Sequence, residues 1–370
     1  MLGDEVMSDL SLDNKLILKD SKDLERDVWI WGTGNTAEML QEGIKRWDRF
    51  EQIKGYVDSD PEKWGSTFYG KPIKSPTEIM HCKNACILIC TNQLNFLGEI
   101  KEMLDSNGAA HWYVLEQFVL CDLKDKVLES LELFEDSKSK ELYKYLIECK
   151  FNGEYPSSES GLLDLEHGYF FLPDLVKCDK NEVFVDVGCY TGDTVKEYLE
   201  IRKDEFKHIH SFEPDTVSYE TAKKNIADYC MQYKVNPEKV SLYPYGVGET
   251  NSSGVFERTD DNKGSGSKFT TGKNTDDKDS TKIIALDDFL NGEVSFIKAD
   301  VESYEWQVIR GAEHIIKQQK PKLAICIYHN VFDFIQIPGL IKKLSADYKL
   351  YVRQQAASWS ETILYAVAHK

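Results

Sequence analysis

The stretch Val183-Phe-Val-Asp-Val-Gly-Cys-Tyr-Thr-Gly-Asp-Thr194 constrains the fold more than any other. A short β-favouring run, Val183 to Val187, meets glycines at Gly188 and Gly192, and helical text follows. A strand led through glycines into a helix opens a parallel α/β unit, since parallel neighbours need a crossover between them. Later strand-like runs are His208–Phe212, Val240–Tyr245, Ser295–Ala299, Lys322–Tyr328, Tyr348–Arg353 and Glu361–Val367, with helices between most of them. Only the loop Gln354 to Ser360 separates the last two. That connection is too short for a crossover, so the final pair is expected to be antiparallel.

The first part of the chain repeats the alternation. Asp27–Trp31 reads as a strand, Glu38–Phe50 as a helix, Ile53–Val57 and Ala85–Cys90 as strands, and Asn95–Ser106 as a helix. The predicted fold class is therefore α/β, with two Rossmann-like domains. Five crossover-linked strands closed by an antiparallel hairpin give the second the sheet of class I methyltransferases. The expected boundaries are 25–121 for the first domain, 122–170 for a helical connector and 171–370 for the second. Residues 1–24 read as a polar leader without the features of a signal peptide. Residues 259–279, rich in Asp, Gly, Ser, Thr and Lys, read as a surface loop and candidate lid.

Composition narrows the partners. Asp plus Glu number 63 against 45 Lys plus Arg, a net charge of −18. Such a chain is repelled by phosphate backbones, so no nucleic-acid partner is predicted. No apolar run approaches the ~18–20 residues of a membrane helix. The nine cysteines are scattered and unpaired by spacing, which fits a reduced cytoplasm. Cys82, Cys86 and Cys90 lack zinc spacing, and no metal site is predicted.

Chemistry should collect where the second domain's strands meet their loops. Gly188, Cys189, Tyr190, Gly192, Asp193 and Thr194 form a turn whose amides can approach a ligand closely. Glu213, followed by Pro214, ends the next strand, where an acid can accept hydrogen bonds from ribose hydroxyls. A plain acid at a helix N-terminus is the other reading of Glu213. Asp186 stands just before the glycine turn. A carboxylate there suits a cationic cofactor better than a pyrophosphate, which favours S-adenosylmethionine over NAD. Asp300 and Glu302, with Glu305, follow the fourth strand. They can orient a hydroxyl, hold an ammonium or bind a divalent ion, or serve only as acids at a helix start. His329 closes the fifth strand and is the candidate general base.

Residues from about Phe171 to Val367 resemble the FkbM family of S-adenosylmethionine-dependent methyltransferases. The resemblance rests on Phe184 to Thr194, Phe212-Glu-Pro214, Ile284-Ala-Leu-Asp-Asp-Phe289, and Phe296-Ile-Lys-Ala-Asp-Val-Glu302 with Glu305 and Gly311-Ala312. The family usually has glycine after Asp-Val-Glu, where this chain has Ser303 and Tyr304. The resemblance implies S-adenosylmethionine as cofactor, with Gly246 and Val247 beside its adenine. It also implies methyl transfer to a hydroxyl, commonly of a sugar, in the synthesis of surface glycans. His329 would take the proton, and Asp300 and Glu302 would orient cofactor and acceptor. A divalent metal is compatible with this chemistry but not predicted.

In the first domain, Gly32-Thr-Gly34-Asn35 opens a helix and Asp58 ends the next strand, a reduced dinucleotide fingerprint. With Gly55 to Asp60, Gly65 and Gly70-Lys-Pro-Ile73, the region 25–120 is similar to nucleotide-sugar-binding domains that precede some sugar acyltransferases. The resemblance implies presentation of a sugar or glycan acceptor. A fold kept for packing or for a homodimer is the other reading, and Trp29, Trp31, Trp47 and Trp64 are either sugar-stacking or core residues. Two further functions stay open: an NAD-dependent sugar-nucleotide oxidoreductase or epimerase, and a non-enzymatic adaptor with vestigial nucleotide folds.

Overall fold

The computed structural model describes residues 12–165, 168–170, 176, 179–257, 268–271 and 280–368. Internal packing divides the chain into two units, Met1–Leu131 with Lys144–Glu154, and Glu132–Tyr143 with Tyr155–Lys370.

The first unit begins with helix α1 (Leu12–Lys15), where Leu12 and the following Leu16 are buried. Two leucines give this segment an apolar face, so part of the expected polar leader is packed structure. Residues 1–11 lie outside the described set. The unit continues through β1 (Asp27–Trp31), α2 (Asn35–Arg46), β2 (Ile53–Val57), β3 (Thr67–Phe68), β4 (Lys71–Lys74), α3 (Pro76–Ile79), β5 (Ala85–Ile89), α4 (Leu94–Ser106) and β6 (Trp112–Val114). The sheet order is β3-β4-β2-β1-β5-β6, parallel except for the β3–β4 pair. Sequence reading missed that hairpin, whose turn is Tyr69-Gly70, both with positive φ. Every residue of β5 is buried, as befits a parallel strand covered on both faces. Trp31 and Trp47 are buried too, which makes them core side chains. Helices α5 (Leu115–Asp122), α6 (Lys124–Glu132) and α7 (Ser137–Asn152) follow, and the division between units falls within α7.

The second unit runs β7 (Val183–Val187), α8 (Asp193–Arg202), β8 (His208–Phe212), α9 (Thr216–Tyr233), β9 (Val240–Tyr243), β10 (Tyr245–Val247), β11 (Ser252–Glu257), β12 (Lys268–Thr271), β13 (Ser280–Ile284), α10 (Leu286–Phe289), β14 (Phe296–Ala299), α11 (Glu305–Gly311), α12 (Glu313–Gln319), β15 (Lys322–Cys326), α13 (Val331–Leu344), β16 (Tyr348–Gln354) and β17 (Thr362–Ala368). Its main sheet is ordered β16-β17-β15-β14-β7-β8-β9. Strand β17 is antiparallel to both neighbours, as the short final loop required. Phe170, Phe184, Tyr198 and Phe296 form an aromatic centre, with Phe184 stacked on Tyr198 at 4.8 Å. Residues 132–143 belong here: Phe134 bridges Leu350, Asp136 pairs with Arg353 at 2.7 Å, and Tyr143 stacks on Phe334.

Two expectations change. Val240–Tyr245 is not one strand, because Pro244 has no N–H to donate and the main-sheet strand stops before it. Tyr245–Val247 instead joins a second sheet, β10-β13-β11-β12. Within the expected loop 259–279, Lys268–Thr271 is a strand antiparallel to β11. The remainder of that candidate lid, 259–267 and 272–279, lies outside the described residues.

Candidate functional site

In the second unit's sheet, β7 and β14 lie side by side, and the chain leaves them toward opposite edges. Open α/β sheets form their ligand crevice at such a switch point, beyond the carboxyl ends of the strands. Backbone bonds fix the loops there. Gly188 and Cys189 donate to the carbonyl of Phe212, Glu213 donates to Tyr243, and Asp300 donates to Val187. Gly188 has φ 78°, and a Cβ there would stand 2.0 Å from the Asp300 carbonyl oxygen. Only glycine lets these loops meet so closely.

The predicted cofactor residues gather at this crevice. Gly192, Asp193 and Thr194 form the start of α8. Tyr190 is partly exposed with φ 46°. Cys189 is buried, which pushes its thiol up. Glu213 is held by two backbone amides, Tyr190 N–H to Oε2 at 2.8 Å and Asp215 N–H to Oε1 at 2.9 Å. Burial outweighs those amides and raises its carboxyl to about 7. The Cβ position of Gly246 comes within 3.7 Å of Pro214, and Val247 is buried beside it.

Asp186 is fully buried, and Lys298, its register partner on β14, places Nζ 3.2 Å from Oδ1. Burial raises the Asp186 carboxyl to about 6 against the pull of Lys298. Burial also lowers Lys298, but Asp186 and Asp300 overcome this and keep it charged. Lys298 also donates to the Gly188 carbonyl at 2.8 Å. Asp186 therefore faces a lysine inside the sheet, at the root of the glycine turn. Sequence reading missed Lys298. Its signal was a cation within the apolar run Phe296-Ile-Lys-Ala299, which burial forces to find an acid.

Asp300, Glu302, Glu305 and His329 form the second focus. The His329 side chain is 3% exposed. Its Nε2 lies 3.3 Å from Asp300 Oδ1 and 3.7 Å from Glu302 Oε2, and its Nδ1 lies 2.8 Å from Glu305 Oε1. Burial opposes charge on the ring, but Glu305 above all, then Glu302 and Asp300, raise it to about 10. An imidazolium has no lone pair to receive a proton, so a base role for His329 requires the ring to lose one first. Tyr169 donates to Asp300 Oδ2 at 3.0 Å and Tyr328 to Oδ1 at 3.3 Å. Burial would raise Asp300, yet Lys298, His329 and these hydroxyls hold it low. Glu302 is the exposed acid of the group, and burial of part of its surroundings raises its carboxyl. Glu302 and Ser303 have φ 53° and 76°, and Ser303 occupies the place where glycine was expected. No sequence signal marked Tyr169, which reaches the site from the segment before β7.

In the first unit, Gly32, Gly34 and Asn35 join β1 to α2, and Gly32 has φ 124° close against the Cys90 carbonyl. Asp58 is already held by donors of its own unit. Its Oδ2 accepts from the Thr33 amide, the Thr33 hydroxyl and Lys63, and its Oδ1 accepts from the Asp60 amide. Burial would raise its carboxyl, but these donors hold it below the usual range.

Residues 186–355 match the family model described as methyltransferase FkbM domain, and residues 24–112 match C2185-like, N-terminal. No curated protein matches the chain in sequence. Among solved structures, methyltransferase FkbM from Methylobacillus flagellatus KT is similar over 92% of this chain and 89% of its own, at 19% identity and a TM-score of 0.54. An rRNA methylase from Streptococcus thermophilus is similar over 52% of this chain and 89% of its own, at 13% identity and a TM-score of 0.34. No helix among the described residues is long and apolar enough to cross a membrane.

Proposed function

This chain carries an FkbM methyltransferase domain at residues 186–355, and from that premise we propose that it transfers a methyl group from S-adenosylmethionine to a hydroxyl of a sugar or glycan. The observation that carries the cofactor reading is Glu213. A carboxylate clamped by two amides, beside the glycine turn and at the end of β8, matches an acceptor for two ribose hydroxyls. Gly188 to Thr194 then face the amino-acid end, and Pro214, Gly246 and Val247 flank the adenine.

Asp300 and Glu302 serve the acceptor. Its oxygen attacks the sulfonium methyl: a C–O bond forms, the C–S bond breaks, and the bonding pair stays on sulfur. Catalysis here is chiefly alignment of oxygen, carbon and sulfur. The hydroxyl proton passes to Glu302, whose raised carboxyl is the exposed base of the site. His329 stands behind the two acids as a positioning residue.

The first unit would hold a nucleotide-linked acceptor at Gly32, Gly34 and Asn35, with Lys63 as counter-charge to phosphate. Calorimetry with S-adenosylhomocysteine, NAD and a panel of nucleotide sugars tests both parts. Binding of S-adenosylhomocysteine, weakened about tenfold or more in Glu213→Ala, is expected. Binding of NAD in its place would overturn the reading.

A further inference from the structure

The acid–histidine cluster contains a polarity problem that its own residues do not solve. The His329 side chain is almost wholly buried, with carboxylates on both sides of its ring, Glu305 Oε1 2.8 Å from Nδ1 and Asp300 Oδ1 3.3 Å from Nε2. Glu305 is fully buried, and while its Oε1 accepts from the Val301 amide at 2.9 Å, its Oε2 has no hydrogen-bond partner. A buried polar atom without a protein partner calls for an explanation, and a bound ion is one of the few that supply it. These atoms also share a geometry. Asp300, Glu305 and His329 each offer a donor atom, and all three lie within 4.8 Å of one another. Donors bound to one ion at about 2.1 Å sit about 3 Å apart in cis and about 4 Å apart in trans.

We propose that Asp300, Glu305 and His329 bind a divalent first-row metal ion, with Glu302 as a further donor on the solvent side. One imidazole with two or three carboxylates suits Mn2+ or a similar ion better than the all-oxygen cages of Mg2+ or Ca2+. Supporting contacts are in place. The hydroxyls of Tyr169 and Tyr328 orient Asp300, and the Val301 amide orients Glu305. Such partners fix the direction of metal ligands. The ion would lie where the acceptor hydroxyl is placed above and would polarise it. That catalytic role rests on the methyl-transfer reading, whereas binding of the ion does not.

The test is Mn2+ titration of the full chain followed by electron paramagnetic resonance, without cofactor. Tight binding of one ion per chain is expected, with spin-echo modulation from a coordinated imidazole nitrogen. Asp300→Asn should weaken the binding about tenfold or more. The exposed Glu302→Gln, a change that leaves the core intact, should weaken it less. No binding at millimolar Mn2+, or an ion without the nitrogen signal, would overturn the proposal on the unaltered protein. Unchanged affinity in a folded Asp300→Asn variant would also overturn it. It would place the ion elsewhere, for instance at the second cluster, Asp20, Asp23 and His111. Calorimetry with S-adenosylhomocysteine separates the two readings. A chain that binds that product but no Mn2+ keeps the methyl-transfer reading and loses this one.

Discussion

Single residues hold the strain and the misplaced charge of this protein. Ser303 has φ 76°, is 3% exposed, and its hydroxyl has no partner. An L-residue in the left-handed region costs about 1–2 kcal/mol, a penalty that glycine escapes. Ser303→Gly is therefore expected to stabilise the chain by about 1 kcal/mol, and the unfolding midpoint should rise by a few degrees. Ser303→Ala keeps the strain and should show no such gain, a contrast read by thermal denaturation. Glu213 is the second case. Its folded value of about 7 lies above its ordinary 4.5, so the folded chain binds the proton more tightly than the unfolded one. Its contribution to stability therefore falls as pH rises from 4.5 to about 7, by on the order of 2–3 kcal/mol. Unfolding midpoints across that window should decline less in Glu213→Gln. Affinity for S-adenosylhomocysteine should weaken below pH 7 in the parent chain and not in the variant.

At the scale of elements, the junction of β7 and β14 decides whether the crevice exists. Asp186 and Lys298 are register partners on these strands, both fully or almost fully buried. Removing one member of a buried ion pair leaves a charge in a medium that cannot solvate it, at a cost of about 3–5 kcal/mol. Lys298→Ala should lose that much in urea denaturation. The double variant Lys298→Met, Asp186→Asn should recover most of the loss, since neither charge remains. A single loss restored by the double change would identify the pair as structural. An equal loss in both would mean that Asp186 matters for more than neutralising Lys298. The element scale also explains a misreading. Sequence alternation gave nearly every strand of the main sheet, but Pro244 moved Tyr245–Val247, and Gly246 with it, into a second sheet. One missing N–H redirected the chain beside the cofactor crevice.

For the whole molecule, units and sequence order do not coincide. The second unit includes Glu132–Tyr143, which sequence reading assigned to a connector. Those residues pack Phe134 and Tyr143 and pair Asp136 with Arg353 beside the β16 edge. A fragment beginning at Glu132 is expected to fold and to bind S-adenosylhomocysteine as the full chain does. One beginning at Tyr155 should unfold at lower temperature, because it exposes the surface under Tyr143 and leaves Arg353 without Asp136. Circular dichroism melts of the two fragments would decide this.

The amino-acid sequence by itself determined the alternating strands and helices, the antiparallel last pair, the glycine turns and the acids near the crevice. All of these are local: a strand shows in the spacing of its apolar residues, a turn in its glycines, a short connection in its length. Tertiary structure alone decided what each charged side chain faces. That Asp186 is buried beside Lys298, 112 positions away, is visible only in the fold. That His329 sits among three carboxylates, which favour its charged form, is likewise a matter of the fold. A side chain's charge state depends on the groups that surround it and on the water they exclude, and those neighbours come from distant parts of the chain.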